Sequence, residues 1–241
     1  MRLSEDWRAG ERRWRVVGAG SAGAGRPGAS RTFDARSGAR YARAMRAAAD
    51  GLLSSLLTEI RACRLCEPSL PLGARPVLVA DPRASILLAG QAPGTKVHAS
   101  GVPWDDASGR RLREWLSVTP AEFYDASRFA IVPMGFCYPG RGASGDLPPR
   151  PECRETWHPR LFPLLPGLRV RLLIGHYAQS WHLGDQARST LTETVAAWRD
   201  HGPDTFPLPH PSPRNQRWFI KNPWFSAELI PELRKAVRAA M

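Results

Sequence analysis

The chain has 241 residues, 43% of them hydrophobic, with a formal net charge of +12 and a pI near 10.7. That is enough apolar material for one α/β core, or for one domain with a tail. The sequence holds no run of about 18 apolar residues, so no membrane-spanning helix is expected. The opening MRLSEDWRAGERRWRVV also lacks the basic-then-apolar layout of a secretory leader, so the chain reads as cytoplasmic. A positive field of this size favours polyanions, nucleic acid first, although 31 Arg against 3 Lys is also what a compositional bias produces.

Residues 1–44 stand apart. GAGSAGAGRPGASRTFDARSGAR has almost nothing to bury, so the segment does not offset its ordering entropy and is expected to be a disordered tail. Its ten Arg against four acids suit a DNA-tethering arm. The competing reading is that it lies outside the native protein, since Met45 precedes a good helix. Residues 45–241 read as the globular domain. Apolar positions 52, 53, 56, 57 and 60 predict a helix. SILLAG (85–90) predicts a buried strand, and SGRRLREWL (108–116) a helix with Ser108 as candidate N-cap. FAIVPMGF (129–136) predicts a second strand, followed by a Pro- and Gly-rich loop and a helix near 153–165. VRLLIGHYA (170–178) predicts a third strand running into a helix. STLTETVAAW (189–198) reads as helix and TFPLPH (205–210) as a short fourth strand. NPWFSAELIPELRKAV (222–237) reads as a closing helix, broken or restarted at Pro231.

Strands alternating with helices predict an α/β fold: a three-layer α/β/α sandwich around a short, mostly parallel sheet of about four strands. Ligands then bind beyond the carboxyl ends of the strands, in the loops after 90, 136, 175 and 209. The unusual residues sit there. Four cysteines, Cys63, Cys66, Cys137 and Cys153, form a C-x2-C pair and a second, wider pair. In a reducing compartment such a set points to metal before disulfide, and four sulfurs suit either zinc or an iron–sulfur cluster. The loose spacing around a Pro-rich loop favours the cluster. GQAPG (90–94) is a tight turn at a strand end whose backbone N–H groups could meet a phosphate or a carbonyl oxygen; without GK[ST] it is not a Walker loop.

Trp104, Asp105 and Asp106 place an aromatic beside two carboxylates, a pattern that stacks a planar ligand and activates water. The bland alternative puts Trp104 in the core and Asp106 at a helix cap. Adjacent carboxylates in an extended segment point to opposite sides, so one should face a pocket; Asp106 is favoured and Asp105 is expected in solvent. In LPHPSPRNQRW (208–218), prolines fix His210 where its imidazole could donate to a developing oxyanion. Ser212, Arg214, Asn215 and Arg217 add donors for phosphates.

GQAPG (90–94) together with HPSPRN (210–215) resembles the uracil-DNA glycosylase superfamily over roughly residues 55–235. The resemblance implies excision of uracil or another deaminated base from DNA by base flipping, in a monofunctional DNA glycosylase acting as a monomer on the nucleoid. It implies that Cys63, Cys66, Cys137 and Cys153 hold a [4Fe–4S] cluster supporting a loop near DNA, with structural zinc as the alternative. It makes Asp106 the acid that aligns water and His210 the donor to the departing base. It places Gly90, Gln91, Ala92, Gly94 and Trp104 around that base, and Ser108, Ser212, Arg214, Asn215 and Arg217 along the DNA. The pattern resembles family five most, through the acid two residues before Ser108-Gly109. It departs from other branches: Ala92 stands where GQDPY carries its Asp, Gln91 where a second branch carries an acid, and Pro133, Met134 and Gly135 where many carry an Asn. These departures motivate the alternative of a uracil-DNA binding protein with weak or no excision. His98, in the loop between the motifs, is expected at the DNA-facing surface rather than as a covalent nucleophile.

Overall fold

The computed structural model describes Ala47, residues 50–143 and residues 145–241. The expected tail, 1–44, lies outside the described residues. Helix α1 runs over 50–61, followed by β1 (Ile86–Ala89), α2 (Thr95–Ser100), α3 (Ala107–Leu116), α4 (Pro120–Phe123) and β2 (Phe129–Ile131). A two-stranded ribbon, β3 (Arg141–Gly142) and β4 (Gly145–Asp146), leads to α5 (Pro151–Leu161). Then come β5 (Val170–Ile174), α6 (His176–Leu183), α7 (Leu191–Ala196), β6 (Thr205–Leu208), α8 (Gln216–Lys221) and α9 (Ile230–Ala240).

The sheet is parallel, in the order β2-β1-β5-β6. Side chains alternate across it, so each strand feeds two cores. Ile86, Leu88, Phe129 and Leu172 face one core, closed by Leu112 of α3 and Leu233 and Val237 of α9. Leu87, Ala89, Ala130 and Leu173 face the other, closed by Leu53, Leu57 and Ile60 of α1 and Leu161 of α5. This is the expected three-layer α/β/α sandwich. The free edge of β2 is covered by Val79, which exchanges backbone hydrogen bonds with Ile131 (3.0 and 2.8 Å).

Several local expectations are corrected. The second strand ends at Ile131 rather than near 136, because Pro133 has no N–H to donate. Its neighbours still bond to the β1 side: the Val132, Met134 and Gly135 N–H groups donate to the carbonyls of Leu88, Gly90 and Gln91 (3.0, 2.8 and 3.0 Å). The helix expected over 153–165 begins at Pro151 and tightens to a 3-10 turn after Leu161. The closing helix does restart near Pro231: a π turn over Phe225–Leu229 precedes α9, and the proline sits in the first turn, where a missing N–H costs little. Ser108 is not the cap of α3. That position is Asp106, whose Oδ1 accepts from the Gly109 N–H at 2.8 Å, while Ser108 is buried in the first turn.

Candidate active site

The chain leaves β1 at Gly90, and the space above that residue belongs to Trp104. A Cβ at 90 would lie 3.1 Å from the Trp104 ring, so glycine lets the indole settle on the strand end, and a larger residue would require the ring to give by a few tenths of an ångström. The Trp104 backbone is left-handed, with φ 58°. For a bulky side chain that conformation costs on the order of 1–2 kcal/mol and persists only where the surroundings fix it. The fixing residue is Gly109: any Cβ there would collide with the Trp104 carbonyl. Gly109 at the start of α3 is thus a steric requirement of the Trp104 turn.

The same turn separates the two carboxylates. Asp105 is exposed, and Asp106 is half-buried at the head of α3. Capping uses Oδ1 of Asp106. The second carboxylate oxygen has no protein donor among the described residues. Asp106 thus caps the helix, as one of its two readings expected, and its charge reaches the other motif.

That motif follows β6. The Trp104 and His210 rings pack with centroids 5.7 Å apart and planes at 30°. Nδ1 of His210 accepts the Ser212 N–H at 3.2 Å, which fixes the neutral tautomer with hydrogen on Nε2. Burial holds the imidazole pKa below its ordinary value of 6.5, against the opposing pull of the Asp106 and Asp146 carboxylates. His210 is therefore a neutral donor at pH 7. Asn215 braces the loop, donating from Nδ2 to the His210 carbonyl at 2.8 Å, and Ser212 Oγ accepts the Arg214 N–H at 3.2 Å. Arg214 and Arg217 are exposed. Arg111 of α3 reaches across to the Ser212 carbonyl and Gln216 Oε1 (3.3 Å each), joining the two motif loops. Sequence reasoning missed this brace, because an arginine on a helix carries no signal of its partner.

It also missed Asp146. The β3–β4 ribbon folds over the GQAPG turn. Gln91 Nε2 donates to the Leu147 carbonyl at 2.8 Å, and Asp146 Oδ2 lies 3.5 Å from where a Cβ of Gly94 would stand. Gly145, with φ 150°, lies beside Arg214: a Cβ there would stand 3.9 Å from the Nη1 of this arginine. Gly94 caps α2 without a side chain, and Ala92 is half-buried within the turn. His98 lies on α2 against Tyr138, with centroids 6.2 Å apart. Its carbonyl accepts from Arg75 Nη1 at 2.6 Å, and no contact with His210 is present among the described residues.

All four cysteines line one small cavity, with Phe136, Arg150 and Trp157 among its walls. The Phe136 N–H donates to Cys153 Sγ at 3.3 Å. Burial pushes the thiols of Cys137 and Cys153 up to about 11 and about 12, so they need a bound cation to ionise. Among the described residues no three His, Cys, Asp or Glu side chains converge on a single ion position. Four thiols on one cavity are a donor set that suits an iron–sulfur cluster or a zinc ion.

Among the described residues, no helix is long and apolar enough to cross a membrane. The two motif loops, the strand-end position and the α/β order agree with a comparison to known families. The model of the uracil DNA glycosylase superfamily matches residues 78–234, well over half of the chain, and the chain belongs to that superfamily.

Proposed function

We propose that the protein is a monofunctional DNA glycosylase that hydrolyses the N-glycosidic bond of uracil or another deaminated base. Superfamily membership supports glycosylase-type DNA repair. The finer reading is carried by one observation: Trp104 spans from the Gly90 strand end to His210, and the Asp106 carboxylate lies close enough to act on the same imidazole. A base inside a duplex is out of reach, so it is extruded at a cost of a few kcal/mol, least where its pairing is already damaged. The exposed Arg214 and Arg217 hold the backbone, together with the Ser212 and Asn215 loop. Trp104 stacks on the base, and the turn of Gly90, Gln91, Ala92 and Gly94 lies along its edge.

Bond cleavage leaves the electron pair on the base nitrogen and positive charge on the sugar. His210 Nε2–H stabilises the first by hydrogen bonding to a base oxygen. Asp106 stabilises the second and orients a water molecule, whose oxygen bonds to C1′. One water proton passes to the carboxylate, and the departing base is reprotonated from solvent. Preorganised charges of this kind are usually the largest catalytic contribution. No Schiff-base nucleophile is assigned: the three lysines, Lys96, Lys221 and Lys235, are exposed on α2, α8 and α9. A [4Fe–4S] cluster on Cys63, Cys66, Cys137 and Cys153 acts structurally, bracing the ribbon between its third and fourth ligands.

Asp106→Asn tests the assignment. Asn caps a helix as well as Asp does, so the fold is preserved while the carboxylate is lost. Excision should fall by about 100-fold or more, since aligned acid–base groups contribute factors of that order, with DNA binding unchanged. Retained excision would remove Asp106 from the mechanism.

A further inference from the structure

The Asp146 carboxylate is not used by the mechanism above, yet the chain goes to some length to place it. Gln91 spends its side-chain amide on holding the ribbon through the Leu147 carbonyl. The ribbon brings the Asp146 oxygen against Gly94, in the turn assigned to the base. The Asp146 charge also reaches the His210 imidazole, as that of Asp106 does. Asp106 comes from the head of α3 and Asp146, exposed, from the ribbon, so negative charge reaches the imidazole from two different elements.

We propose that Asp146 is the specificity-determining residue of the site, accepting the ring N–H that deamination of cytosine or adenine creates. This rests on the glycosylase reading of the same site. In cytosine N3 and in adenine N1 are bare lone pairs. In uracil N3 and in hypoxanthine and xanthine N1 carry hydrogen, next to a carbonyl. A carboxylate accepts hydrogen bonds and donates none, so it attracts the ring N–H of uracil and hypoxanthine and repels the lone pair of their parents cytosine and adenine; guanine and thymine already carry that N–H, and their exclusion falls to the shape of the pocket. His210 supplies the matching half: its Nε2–H is a donor for the neighbouring carbonyl. Together the two side chains form an acceptor–donor pair complementary to the N–H/C=O edge that the deaminated bases share. An Asn reader on the second strand is absent, because Pro133, Met134 and Gly135 occupy that stretch. Asp146 provides recognition from the ribbon instead, and an acceptor-only group has no second orientation that would admit cytosine.

The test compares uracil with 3-methyluracil, which keeps both carbonyls but has a methyl group in place of the N3 hydrogen. Oligonucleotides carrying either base are cut by the wild type, Asp146→Ala and Asp146→Asn, with melting temperature and affinity for undamaged DNA measured for each. The intrinsic reactivity of the two bases cancels when their ratio is compared between proteins. The wild type should prefer uracil by a ratio about 10- to 100-fold larger than that of Asp146→Ala, as expected for a hydrogen bond to a charged acceptor. Asp146→Asn should fall between them and should gain cleavage at cytosine. An unchanged ratio, with uracil still excised, would overturn the role of Asp146 and leave the glycosylase reading standing. No excision of any base by the wild type would overturn both.

Discussion

Asp106 caps α3 and is proposed to carry the chemistry, and one substitution can separate the two. Its Oδ1 caps α3, so Asp106→Ala should destabilise the fold by about 1 kcal/mol as well as stop the chemistry, whereas Asp106→Asn should stop only the chemistry. His210 gives a pH signature. Its pKa is lowered by burial, so it stays neutral above its ordinary value of 6.5 and protonates only in more acidic solution. A proton on Nδ1 would face the Ser212 N–H and break the bond that orients the ring. Excision should therefore be level near neutrality and fall with acidification below that value; a profile that rises instead would show that the imidazolium is the active donor. Gly109→Ala is the steric counterpart. It has no room beside the Trp104 carbonyl, and overpacking should cost about 1–3 kcal/mol and turn the indole away from His210. Quenching of the indole fluorescence would report the shift. At this scale the sequence was legible where residue type and strand-end position coincide, as at His210. It was not legible where a partner is distant in the chain: nothing in GASGDLPP says that Asp146 lies over Gly94, because that depends on how the ribbon folds back.

The ribbon is the element on which the proposed base reader and the candidate metal ligands meet. Cys137 precedes β3, and Cys153 follows β4 at the first turn of α5. A cluster bound by both would clamp the ribbon at its two ends, as a staple holds a short loop too small to carry its own core. Protein prepared without oxygen should contain iron and acid-labile sulfide in equal amounts. Cys137→Ala should lose both and should speed amide exchange across 141–147 more than in the sheet. Zinc in place of iron would identify a single-ion staple. The elements themselves were easy to anticipate. SILLAG and VRLLIG are apolar on both faces, as a covered parallel strand requires, and Thr190 with Glu193 forms the capping box that opens α7. The shortened β2 was harder, because FAIVPMGF has the apolar run of a strand while Pro133 removes a ladder donor within it.

Across the whole molecule, the net charge of +12 and the exposed arginines beside the motif loops make DNA binding salt-dependent. Arg214→Ala and Arg217→Ala should each reduce the slope of log affinity against log salt by about 1, without regard to sequence. Stability should depend on acid through a different pair. His158 is buried, with Nε2 3.1 Å from the Pro133 carbonyl, and its ring stacks on His182 at 6.2 Å. Burial lowers the two pKa values to about 4 and about 3. Both are neutral in the fold but would titrate near 6.5 when unfolded. The unfolded state thus takes up more protons as the pH drops below that value. Stability is full above 6.5 and falls through the acid range, by up to about 1.4 kcal/mol per pH unit for each histidine. Urea midpoints measured near neutrality and at about pH 5 should differ accordingly, and His158→Gln should flatten the difference.

The central claim is that the Trp104, Asp106 and His210 constellation removes deaminated bases from DNA. The most direct measurement is cleavage of labelled oligonucleotides carrying one uracil, hypoxanthine or xanthine, in single- and double-stranded form, beside undamaged controls. Strand breaks that appear only after alkali, and only in the damaged strands, are the predicted result, because a monofunctional enzyme leaves an intact abasic backbone. No breaks at any of these bases, from folded protein with its metal site filled and bound to the DNA, would contradict the account and make the protein a DNA-binding member of its superfamily.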